Sequence, residues 1–139
     1  MGLFDGFKKA KYPVLAEDTA AARAIAANPE FEAFVKGAND KMEVVPGAET
    51  LYFYVGNPPK AFGLVWFEDG ARLDVRSLLG SGSLAPEPAA TLTRRIREIY
   101  ETYGEAGRFE HRVSGHRLTV TASDEMYREL REAVATATA

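Results

Sequence analysis

Asp69-Gly70 constrains this chain more than any other dipeptide in it. It lies between two short segments, 61–67 and 71–76, that are rich in aromatic and branched residues. In that setting Asp-Gly predicts a two-residue β-hairpin, because a type I′ turn needs positive φ at both central positions. A hairpin fixes register, and register decides which side chains share a face. Pairing across Asp69-Gly70 puts Phe62, Leu64, Trp66, Leu73 and Val75 on one side. All are apolar, so this side is expected to meet helices. The other side carries Val65 and Phe67 beside Arg72, Asp74 and Arg76.

A second hairpin is expected from 108–113 and 116–122, joined at Ser114-Gly115. Ahead of the first hairpin, residues 50–55 (Thr-Leu-Tyr-Phe-Tyr-Val) read as a further strand. Three helical segments frame these strands. Residues 15–27 contain seven alanines, and Asn28-Pro29 interrupts them as an N-cap and first residue of a new helical turn through Phe31, Phe34, Val35 and Ala38. Asn39-Asp40 should end that turn, and Pro46-Gly47 marks 41–49 as a turn region. Residues 89–103 place Leu92, Ile96, Ile99, Tyr100 and Tyr103 on one stripe, stopped by Gly104 and Gly107. Ser123 caps a last helix that presents Met126, Tyr127, Leu130 and Val134. Residues 77–88 read as a loop. The expected class is α+β: helix, three strands, helix, two strands, helix, with a mainly antiparallel sheet packed on helices.

Length and composition agree with one such domain. The chain has 139 residues, 46% of them hydrophobic and 27% charged, values that argue against disorder, a fibre or a membrane-spanning protein. The absence of cysteine excludes disulfides, thiolate catalysis and cysteine-ligated metals. A net charge of -3 speaks against nucleic acid as a partner. No targeting segment is visible, and cytoplasmic residence is expected. The domain is placed at 15–135, with a flexible arm at 1–14 and a fraying tail at 136–139. The arm is distinctive: Leu3, Phe4 and Phe7 accompany Lys8, Lys9 and Lys11. Three lysines against Asp5 give residues 1–12 a charge of +2, leaving -5 on the rest of the -3 total. Such an arm suits weak contact with an anionic membrane surface.

In the strand 50–55, Leu51, Phe53 and Val55 point one way, and Tyr52 and Tyr54 the other. With the apolar side turned inward, the outer face gathers Tyr52, Tyr54, Val65 and Phe67, with Arg72 and Arg76 at its margin. Tyrosine and arginine are enriched where partners bind, so these six residues form the candidate partner site. A competing reading uses His111 and His116. With Ser114-Gly115 as the loop, 111 faces 118 and 113 faces 116, so the two imidazoles are diagonal neighbours on one face. They could hold a metal or supply a base, but no acidic residue joins them in that register. Gly80-Ser-Gly-Ser-Leu-Ala85 matches G-x-G-x-x-A, yet it follows a hairpin strand and precedes Pro86 and Pro88, so it is read as loop and not as a nucleotide site. No nucleophile elbow, P-loop or zinc helix is present. No cofactor is expected.

The element order over about residues 15–135 resembles the type III secretion chaperone-like fold, also seen in the YbjN-like family. The resemblance rests on that order and on no signature motif. It implies a small acidic cytoplasmic homodimer without a catalytic site, paired through its middle helix (here 89–103), that binds an extended partner segment along apolar sheet surface. The expected function is a non-enzymatic protein-binding adaptor using an aromatic sheet face or a sheet edge. The alternative is a ligand- or metal-binding protein or enzyme built on His111 and His116.

Overall fold

A computed structural model describes residues 12–38 and 41–139. The elements are α1 (Ala20–Ala26), α2 (Pro29–Gly37), β1 (Met42–Pro46), β2 (Leu51–Asn57), β3 (Ala61–Glu68), β4 (Ala71–Asp74), α3 (Val75–Ser81), α4 (Pro86–Thr102), β5 (Arg108–Val113), β6 (His116–Thr121) and α5 (Asp124–Thr138). The class is α+β, as expected. The six strands form one sheet in the order β4-β3-β2-β1-β6-β5. Every contact in it is antiparallel except β1 with β6, which run parallel through Glu43 opposite Thr119 and Val44 opposite Val120.

Both hairpins form as the turn chemistry dictates. Asp69 and Gly70 take φ of +50° and +80°, and Ser114 and Gly115 take +51° and +82°. These are type I′ values, whose twist matches that of the flanking strands. Phe67 then opposes Arg72, and His111 opposes Leu118, in the expected registers.

Other elements depart from expectation. Residues 42–46, expected as turn, form the central strand β1. The run Met-Glu-Val-Val-Pro is too short to show alternation, and both Val44 and Val45 are fully buried, one on each side of the sheet. Pro46 is tolerated because it ends the strand. The strand expected at 71–76 stops at Asp74, whose carboxylate accepts from Ser77 N at 2.8 Å while Ser77 Oγ lies 3.3 Å from Asp74 N. This reciprocal capping box turns 75–81 into α3, part of the segment expected as loop. Gly82, at φ +80°, closes α3 in the left-handed conformation. Helix α4 starts at Pro86 instead of 89, because prolines in a first turn lose no hydrogen bond.

The termini also differ from the expectation. Residues 12–14, assigned to a flexible arm, belong to the fold. Glu110 N donates to Pro13 O at 2.7 Å and Leu15 N to Glu110 O at 2.8 Å, so this stretch lies along the edge strand β5. Residues 1–11, with the expected membrane-touching aromatics and lysines, lie outside the described residues, as does the Asn39-Asp40 pair. At the other end α5 runs through the expected frayed tail to Thr138. Among the described residues no helix is long and apolar enough to cross a membrane.

Helices cover both faces of the sheet, making three layers. On one face Ile25, Phe31 and Val35 of α1 and α2 pack on Val44, Phe53, Val65, Phe67, Leu118 and Val120. The rings of Phe31 and Phe53 meet edge to face at 4.4 Å. On the other, Leu92, Ile96 and Ile99 of α4 and Met126, Leu130 and Val134 of α5 pack on Val45, Tyr52, Tyr54, Leu64 and Trp66. Truncating a central ring such as Phe53 to alanine would cost about 3–5 kcal/mol. Tyr127 locks the β1–β2 turn from below, its hydroxyl accepting from Glu49 N at 3.2 Å and Thr50 N at 3.3 Å. Its ring lies so close over Gly47 that no side chain fits there.

Candidate functional site

The aromatic outer face expected from the sequence does not exist, and the reason is a register. β2 and β3 are joined so that Asn57 opposes Ala61, which places Tyr52 opposite Trp66 and Tyr54 opposite Leu64. Directly opposed residues share a face. Tyr52 and Tyr54 therefore lie with Leu64 and Trp66 under α4 and α5, while Val65 and Phe67 lie with Phe53 under α1 and α2. The four residues are split between two cores, and all four are buried, Tyr54 completely.

Two tyrosines can enter a core because each phenol is accommodated there. Tyr54 donates to Ile96 O at 2.8 Å, and its ring lies 5.0 Å from that of Tyr100. Tyr52 packs between Trp66 and Tyr127. Burial, with the Glu43 carboxylate near Tyr54 and the Tyr127 ring near Tyr52, pushes both phenols far above the ordinary tyrosine range. They stay neutral and apolar in character, as structural residues.

Of the six candidate residues, Arg72 and Arg76 are exposed. With Val65 they line a cavity of about 770 Å³ whose walls include Phe34, Phe62, Gly63, Leu64, Val75 and Leu79. This cavity sits where β4 ends early. The β3–β4 ladder runs from Glu68 opposite Ala71 to Val65 opposite Asp74 and no further. Ala61, Phe62 and Gly63 pair with β2 only, while at the last rung, Val65 opposite Asp74, the Leu64 carbonyl still faces Val75 N.

Strand geometry says which backbone groups are left. In an antiparallel ladder successive residues point their N–H and C=O alternately to the two neighbouring strands. Gly56 N bonds Lys41 O toward β1 at 2.9 Å, so Val55 points toward β3 and its partner Gly63 points back. Phe62 consequently aims its N–H and C=O away from β2 into the cavity, and Leu64 its N–H, the Leu64 C=O being directed at Val75 N where β4 ends. Two donors and one acceptor, spread over about 7 Å, form the template for one more short strand.

The rim of this template is cationic. The ionisable residues lining it are Arg72, Asp74 and Arg76. Asp74 is engaged by the cap of α3 and lies 3.8 Å from Arg72. Arg72 also extends over the Phe34 ring at 5.6 Å. On the other side of the strand Arg97 stacks on Phe62 at 5.5 Å and donates to Pro59 O at 2.8 Å. The outer wall is α3, which has no buried residue, and Leu79 on it is 40% exposed.

Sequence reasoning missed Phe34, Phe62, Gly63 and Leu79 as members of this site. Two signals point to it in retrospect. Asp74-x-x-Ser77 is a capping-box spacing that stops the edge strand, and Gly63 is a glycine inside a strand, which often marks close approach of another backbone.

The polar clusters elsewhere are closed upon themselves. Glu43 accepts from Tyr100 Oη at 2.6 Å and pairs with Arg108 Nε at 3.4 Å, while Arg108 lies over the Tyr100 ring. Glu129 accepts from Tyr103 Oη and pairs with Arg95 at 2.7 Å. The hydrogen bond to Glu129 pushes the Tyr103 phenol up to about 12 and, in return, holds the Glu129 carboxyl below its usual range. His111 and His116 do share a face with Val113 and Leu118, in the expected diagonal. Among the described residues, however, no three histidine or acidic side chains converge as a metal would require. No family model, curated protein or solved structure matches the chain.

Proposed function

We propose that the protein is a non-enzymatic protein-binding module that receives an extended partner segment on the open edge of β3. The observation that carries this reading is the early end of β4, which leaves the N–H and C=O of Phe62 and the N–H of Leu64 facing a cavity with apolar walls. Strand addition of this kind draws affinity from main-chain hydrogen bonds and specificity from pockets for alternate side chains. Of the two surfaces expected from the sequence for an adaptor, an aromatic sheet face or a sheet edge, this reading takes the edge. A cytoplasmic homodimer belongs to the same proposal, by likeness of element order to secretion chaperones; light scattering on the purified chain tests the dimer.

Gly63 separates binding from folding. It is exposed, and a Cβ there would have nothing within 4 Å. A side chain at 63 projects into the cavity, and replacing a strand glycine recovers about 0.5–1 kcal/mol of chain entropy. Peptides selected by display on the wild type should lose binding to Gly63→Phe while the variant's Tm is unchanged or higher. Equal binding by the two proteins would refute the edge as the site.

A further inference from the structure

We propose that the occupant of the β3 edge is a short apolar segment flanked by acidic residues. This rests on the strand-addition reading and deepens it from charge and face.

A strand added beside Phe62 and Leu64 turns alternate side chains to the two faces of the sheet. One face of the cavity offers Phe34, Val55 and Val65, and the other offers Phe62, Val75 and Ile96. Both are apolar, so the central residues of the segment are apolar at successive positions and not at every second one. The open stretch, Ala61–Leu64, spans about 13 Å and matches three or four such residues.

Charge is set at the two ends. Arg72 and Arg76 lie beside the cavity where β4 gives way to α3, and Arg76 has no ion-pair partner among the described residues. Arg97 over Phe62 and the exposed Lys60 flank the other end. A cationic rim on a chain whose net charge is -3 selects acidic flanks and repels basic ones. It also argues against a second copy of this chain as the occupant. Edge-to-edge pairing of two β3 strands would bring the same arginines toward one another with one intervening carboxylate, Asp74, on each side.

The test is fluorescence anisotropy with three labelled peptides of about ten residues. They share one Val/Leu core of four residues and differ in flanks: glutamates, glutamines or lysines. The glutamate-flanked peptide should bind about tenfold tighter than the lysine-flanked one, with the glutamine-flanked peptide between them and the differences shrinking at high salt. The Arg72→Glu/Arg76→Glu variant should reverse the order. Arg76→Gln, which leaves the Arg72–Asp74 pair in place, should weaken the glutamate-flanked peptide about threefold even if the double variant folds poorly. Equal binding of all three peptides, blocked by Gly63→Phe, would overturn the charge inference and leave the edge reading standing. No binding by any peptide would overturn both. A wild-type dimer that Gly63→Phe converts to monomer would assign the edge to a second copy and overturn the acidic-segment proposal.

Discussion

Tyr54 distinguishes a buried tyrosine from a partner-binding one. Its hydroxyl makes one buried hydrogen bond, to Ile96 O at 2.8 Å, inside a fully buried ring site. Tyr54→Phe removes that bond and little volume. The expected loss is about 1 kcal/mol, a Tm decrease of about 3–5 °C for a chain of 139 residues. Tyr54→Glu is far more severe. It places a carboxylate against the rings of Phe62 and Tyr100, whose centroids lie 5.4 and 5.0 Å from that of Tyr54, with Glu43 close by. An unpaired buried charge costs about 3–5 kcal/mol, a large share of the 5–15 kcal/mol that stabilises a typical domain. Urea denaturation monitored by circular dichroism reads both variants, with an unchanged m value as the sign that the folded state is intact. A surface tyrosine would change stability by about 0.5 kcal/mol or less in either variant. A Tyr54→Glu protein as stable as the wild type would therefore refute the three-layer packing and restore the exposed aromatic face.

Three further outcomes follow from the described contacts. Asp74→Ala removes the cap of α3, worth about 1 kcal/mol, and because α3 buries no residue the effect stays local: amide exchange over 75–81 should rise about fivefold with little change in Tm, and unchanged exchange there would contradict the capping account. Tyr103→Phe should flatten the pH dependence of stability in two windows. The raised Tyr103 phenol contributes stability that is complete below its unfolded value near 10 and lost as pH rises through about 12, whereas the depressed Glu129 carboxyl contributes above its unfolded value and loses that as pH falls through the folded one; denaturation midpoints across pH check both limbs. Titration of Zn²⁺ or Ni²⁺ into the wild type should give no saturable heat, and an isotherm abolished by His111→Ala would restore the histidine site.

What could be read from the sequence was what local chemistry decides. Asp69-Gly70 and Ser114-Gly115 each permit one tight turn, and the registers they impose are those observed. The stripe Leu92, Ile96, Ile99 and the cap at Ser123 likewise place α4 and α5. The β2–β3 connection carries no comparable signal. Gly56-Asn-Pro-Pro-Lys60 admits more than one loop length, and a one-residue slip exchanges the faces of Tyr52 and Phe53. Amphipathic alternation gave no guide there, since β2 is buried on both sides and Leu51 through Tyr54 are all apolar or aromatic. β1 was hidden for the same reason. The partner edge was illegible because it depends on where β4 stops, a competition between pairing with β3 and the Asp74–Ser77 cap that periodicity alone does not resolve.

Amide hydrogen exchange along β3, measured by NMR on the free chain and with the glutamate-flanked peptide, tests the open edge most directly. The account predicts alternation in the free protein: slow exchange at Gly63 and Val65, whose N–H groups bond to β2, and fast exchange at Phe62 and Leu64, with these two becoming slow when the peptide binds. Protection of Phe62 and Leu64 in the free protein equal to that of Gly63 and Val65 would show the edge already filled and contradict the account.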